Sequence, residues 1–80
     1  MNTDLSTLTW VLRIVAIVAE QPVEAIQPEQ RLMEDLGLDS LQITEIAQKI
    51  ENVVGRPVDE DLLNADGATV ARCAEIAAAV

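Results

Sequence analysis

Apolar and polar positions divide the chain into three long helical patterns separated by stretches containing proline and glycine. Residues 5–20 form the first pattern. Leu5, Leu8, Leu12, Val15 and Ala19 recur there at helical spacing. Val11, Ile14 and Val18 widen that stripe, and Trp10 and Ile17 extend it further. Only Ser6, Thr9, Arg13 and Glu20 mark a clear polar face. Thr3 or Asp4 is placed to cap the start, and Pro22 lies just past the end. A stripe this wide exceeds what a surface helix needs. It implies either deep packing or an apolar edge left for a partner.

Residues 21–39 read as a long connection containing Pro22, Pro28 and Gly37. Connections of this length are uncommon in compact domains unless they serve a purpose. One helical turn fits over 23–26, and Ile26, Leu32 and Leu36 are expected to pin the loop to a core. The second helix is predicted over 40–54. Leu41, Ile46, Ile50, Val53 and Val54 supply its apolar positions, with Ile43 and Ala47 at the flanks. Gly55 sits where a left-handed C-cap falls, and Pro57 disfavours helical geometry at Arg56.

Residues 59–64, DEDLLN, predict a short helical segment whose acidic residues suit the positive end of its dipole. The stretch NADGAT then makes a turn. The last helix is predicted over 69–79, with Thr69 as its cap and Val70, Cys73, Ala74 and Ala77 on one face. No segment alternates like a strand, and no repeat or linker interrupts the pattern. The expected fold class is all-α: a small antiparallel bundle of three main helices plus a short helix between the second and last, with a long loop after helix 1. Residues 1–80 are expected to make a single domain.

Composition narrows the functions open to such a bundle. Trp10 is the only aromatic residue, so the core must be aliphatic and of modest stability. The formal net charge is -9, from 14 acidic and 5 basic residues. That sign opposes binding to nucleic acid and to an anionic membrane. It suits docking onto basic patches of other proteins, or simply keeps the chain in solution. The opening MNTDLST lacks a basic leader, and the apolar run at 14–19 is far too short to span a bilayer. A cytoplasmic location and a monomer are expected.

Candidate chemistry is sparse. There is no histidine, so the usual general base is missing. The aspartates do not follow calcium-loop spacing, and no metal site is expected. Cys73 falls on an apolar helix face and reads as a small core residue. Ser40 stands apart, at the junction of a glycine-containing loop and a helix. Asp39 or Ser40 can serve there as N-cap. The same position suits a modification, because a phosphate ester would meet free N–H groups and the helix dipole. With no local base, Ser40 would need activation in trans.

At this point the stretch Asp35-Leu36-Gly37-Leu38-Asp39-Ser40-Leu41 resembles the acyl carrier protein family. The resemblance extends over residues 5–80, with a long loop before the motif and a helix after it. It implies that Ser40 receives a 4'-phosphopantetheine arm from coenzyme A. Asp39 matches the acidic residue that helps the transferase place its metal ion and the serine. Leu41 matches the outward leucine that partner enzymes contact. The implied role is a non-catalytic carrier of thioester-bound acyl groups. Its implied partners are a phosphopantetheinyl transferase and acyl-loading, condensing or tailoring enzymes.

One departure is informative. Fatty-acid carriers usually show a strongly acidic outer face on the second helix. Here Leu41 is followed on that face by Gln42, Glu45, Gln48, Lys49 and Asn52. This predicts a carrier for a polyketide or other specialised pathway, with Leu41, Gln42, Glu45, Gln48 and Lys49 meeting the partners. An aminoacyl or peptidyl carrier and a fatty-acid-synthesis carrier are the alternatives within the family. Outside it stand a plain helical interaction module, with Ser40 as cap or phosphosite, and an acidic nucleic-acid mimic.

Overall fold

The computed structural model describes residues 5–65 and 67–79, so the expected caps Thr3 and Asp4 and the turn residue Asp66 lie outside the described residues. Helices α1 (Leu5–Ala19), α2 (Ser40–Val54), α3 (Glu60–Leu63) and α4 (Val70–Ala79) follow in order, with one 3₁₀ turn at Val23–Ala25. Among the described residues there is no strand, only an isolated bridge between Arg31 and Thr69. The all-α expectation holds. Helix α1 packs against α4 and α2, and short α3 lies between α2 and α4.

The core is aliphatic. Val11, Val15, Ile43, Ile46, Ile50 and Leu63 are among its fully shielded members. Burying each contributes roughly 1.5–3 kcal/mol relative to exposure. Helix α4 adds Val70, Cys73, Ala74 and Ala77, as its apolar face predicts, together with Ile76. In α1 the buried face is rotated from the expected stripe. Val11, Ile14, Val15, Ala16 and Val18 are buried, whereas Leu8, Leu12, Ala19 and Trp10 are half-buried and Ile17 is exposed. In α2, Ile43 and Ala47 belong to the centre of the buried face, while Leu41 and Val53 point outward. A helix this apolar leaves its phase to its neighbours, because several rotations would satisfy the sequence.

The long connection is held by backbone as well as side chains. Ile26, Leu32 and Leu38 are buried and Leu36 is half-buried against the core. The start of α4 also depends on this loop. The N–H of Val70 donates to the carbonyl of Gln30 at 3.0 Å, and that of Ala71 to Pro28 at 2.9 Å. Thr69 Oγ1 accepts from the N–H of Arg72 at 3.1 Å. The first-turn donors of α4, which have no partner inside the helix, are thus satisfied by a loop carbonyl twice and a cap once. In return, the N–H of Leu32 donates to the carbonyl of Ala68 at 2.9 Å.

Beyond this junction the chain folds back on itself. Leu36 N–H donates to Arg31, Gly37 N–H to Met33 and Leu38 N–H to Leu32, each on a carbonyl. Gly37 has φ of 69° and no atom within 4 Å of where a Cβ would sit. Its glycine serves the left-handed backbone rather than a close approach. The turn delivers the chain to Asp39 in extended geometry, and α2 begins at the next residue.

Candidate functional site

Asp39 is the N-cap of α2. Its Oδ1 accepts from the N–H of Gln42 at 2.9 Å, and Gln42 Oε1 accepts from the N–H of Asp39 at 3.0 Å. This reciprocal pair is a capping box. It resolves which of the two candidate residues caps the helix: Asp39 does, and Ser40 is the first helical residue. The spacing Asp39-x-x-Gln42 is the signal that identifies the box. The sequence carries that signal, and the box turns the Gln42 side chain inward from the outer face expected for it.

Ser40 is exposed, and its hydroxyl makes none of the hydrogen bonds among the described residues. The N–H groups of Ser40 and Leu41 likewise have no acceptor among them. Leu41 stands 78% exposed beside the serine, which a residue of the buried stripe would not. Further along the same outer surface, Glu45, Gln48 and Asn52 are exposed and Lys49 is half-buried. Glu51 turns away from that surface, its Oε2 accepting from the N–H of Val58 at 2.9 Å. Gln42 is half-buried, with its side-chain amide directed at the two helix ends described below.

No group of His, Cys, Asp or Glu among the described residues is placed to hold a metal ion. Cys73 is buried, and desolvation pushes its thiol up to about 12, the neutral form being favoured. No described helix is long and apolar enough to cross a membrane.

The family model for the phosphopantetheine attachment site matches residues 9–76, from the second turn of α1 into α4. The chain belongs to this family. An acyl carrier protein of Saccharopolyspora erythraea is 43% identical over 54 residues, covering 64% of this chain and 57% of that protein. Acyl carrier protein 3 of Ralstonia nicotianae is 39% identical over 56 residues, covering 70% of this chain and 64% of that protein. A third, from Nitratidesulfovibrio vulgaris, is 36% identical over 52 residues. The chain thus spans less than two thirds of the length of the first two relatives. No solved structure matches it significantly.

The group this family attaches is 4'-phosphopantetheine, and the first turn of α2 fits it. An accessible hydroxyl stands beside two backbone N–H groups that no described acceptor uses. A phosphodiester is anionic, and the start of a 15-residue helix favours negative charge.

Proposed function

We propose that the chain is a non-catalytic carrier in which Ser40 takes a 4'-phosphopantetheine arm from coenzyme A and presents acyl groups to partner enzymes. The observation that carries this reading is the exposed, unengaged Ser40 hydroxyl at the start of α2, inside the family match. When attached, the arm supplies a thiol that holds its cargo as a thioester. The chain's own residues hold and display that arm. Asp39 fixes where the helix begins, so the N–H groups of Ser40 and Leu41 face the phosphodiester. With Asp39 Oδ1 engaged by Gln42, Oδ2 is left for the transferase's metal ion. The sequence has no histidine to act as base, and with Asp39 Oδ2 assigned to the metal ion the transferase removes the Ser40 proton.

Incubating the protein with coenzyme A, magnesium and a broad-specificity phosphopantetheinyl transferase tests this directly. Intact mass should rise by one arm, and Ser40→Ala should abolish the gain. An unchanged mass, or a gain that survives the substitution, removes the reading.

The partner face we assign runs along Leu41, Glu45, Gln48 and Lys49, with Gln42 at its inner edge. Of its charged residues, Glu45 is acidic and Lys49 basic, while Glu51 is occupied by Val58. Docking there should rely on Leu41 and polar contacts more than on long-range attraction. This supports a carrier serving a polyketide or other specialised pathway. Efficient function with a general fatty-acid synthase, and no tighter specialised partner, would argue against it.

A further inference from the structure

The two helix ends that meet at the site share one side chain. Helix α1 closes with Glu20 N–H donating to Ile17 at 3.2 Å and Gln21 N–H donating to Ala16 at 3.0 Å. This Schellman arrangement satisfies two of the terminal carbonyls. The carbonyl of Val18 is passed over, because its helical donor would be residue 22, and Pro22 has no N–H. Gln42 Nε2 donates to that carbonyl at 3.5 Å from within a half-buried setting. Through Oε1 the same amide accepts from Asp39 N–H at the start of α2.

The chemistry of this bridge is specific. One end must donate to a helix C-terminus and the other must accept from a helix N-terminus. A primary amide does both, and a carboxylate or an ammonium cannot. The two partners also fix the orientation of the amide, since a backbone N–H requires Oε1 and a carbonyl requires Nε2. Ser40 lies between Asp39 and Gln42, so its position is set by a link that runs from α1 through Gln42 to the cap.

We infer that Gln42 is a positioning residue for the modification of Ser40, holding the first turn of α2 against the end of α1. This rests on the reading of Ser40 as the attachment residue. The bridge keeps the serine presented at one place relative to the partner face, whose inner edge Gln42 forms. Loss of the bridge lets the first turn fray while Glu45, Gln48 and Lys49, beyond that turn, remain available for docking.

The test uses the full chain as Gln42→Ala and Gln42→Glu beside the parent protein. Transfer of the arm is followed by mass at varied carrier concentration, and exchange of the Asp39 amide is followed by NMR. Gln42→Glu keeps an acceptor for Asp39 N–H but cannot donate to Val18, and it places a charge at the negative end of α1. Gln42→Ala removes both hydrogen bonds of the bridge, and the expected loss in kcat is about tenfold, the scale of about 1.4 kcal/mol. KM should rise by a smaller factor than kcat falls, since Glu45, Gln48 and Lys49 keep their places, and Asp39 exchange should be faster. Expected for Gln42→Glu is slow Asp39 exchange with kcat still reduced. A purely structural role would lower the folded fraction of the carrier, raising apparent KM and sparing kcat. That pattern, or full recovery of kcat in Gln42→Glu, overturns the proposal. Failure of the parent protein to be modified removes the Ser40 reading, and the positioning role with it. The amide exchange would then still report whether the bridge forms.

Discussion

Asp35 meets Arg31 twice: its Oδ2 accepts from the Arg31 backbone N–H at 2.7 Å and from the Arg31 Nε at 3.3 Å. The pair closes the turn that leads to Ser40. The backbone N–H, followed by the guanidinium, holds the carboxyl of Asp35 below its ordinary value of 3.8. A carboxyl depressed in the folded state contributes above its unfolded pKa and is lost as pH falls through the folded one. Protection of the Arg31 amide is therefore expected to persist at neutral pH and to fall away only below 3.8. Asp35→Asn retains an acceptor but does not titrate, so the acid-induced opening should vanish. Amide exchange across a pH series checks both.

Thr69 joins the loop to α4 as bridge partner of Arg31 and as cap for Arg72. Thr69→Ala should cost about 1 kcal/mol, as other lost N-caps do. For a domain of this size that lowers the melting temperature by roughly 4–8 °C. Calorimetry of the variant checks it. An unchanged transition would mean that the carbonyls of Gln30 and Pro28 suffice to hold the helix start.

Glu20 occupies the left-handed C′ position of α1 with φ of 56°. A side chain there costs about 1–2 kcal/mol, while glycine adds back about 0.4–1 kcal/mol of unfolded-state entropy. Glu20→Gly should thus stabilise by between about 0 and about 1.6 kcal/mol in a denaturant titration. A destabilised variant would show that the Glu20 side chain makes up for its own strain.

Cys73 is shielded completely, and its thiol is raised from 9.0 to about 12 by desolvation. A raised acid is neutral when folded, so its contribution is present below the unfolded pKa and lost as pH climbs from there towards 12. Stability should decline through that alkaline window, less steeply in Cys73→Ala. A thiol reagent should label the native protein only after unfolding, which mass spectrometry reads directly.

Some of this was legible before any coordinates. Helix α2 runs over the residues that its spacing predicts, and Gly55 caps it with φ of 74°. Thr69 and the α4 face were readable for the same reason: side-chain chemistry marks them. Helix α1 was readable as an element but not in phase, since nearly every rotation buries Leu, Ile or Val. The junction between the loop and α4 was hidden, because carbonyls of Gln30 and Pro28 leave no side-chain signature. The left-handed Glu20 was hidden too, since a non-glycine residue stands where glycine usually does. Leu41 shows the limit of periodicity. It fits an apolar position by count and is exposed in fact, because the neighbours of α2, helices α1 and α3, leave that side open while Ile43, Ile46 and Ile50 are buried.

The depth of Cys73 has a bearing on any cargo held at Ser40. A thioester exchanges with whatever thiolate it touches. The chain has a single cysteine, and it is enclosed by the bundle and kept protonated. An acyl group carried at Ser40, as proposed, would therefore meet no exposed cysteine among the described residues. On the proposed carrier reading, the burial of Cys73 leaves thiol exchange of the cargo to a thiolate supplied by another molecule.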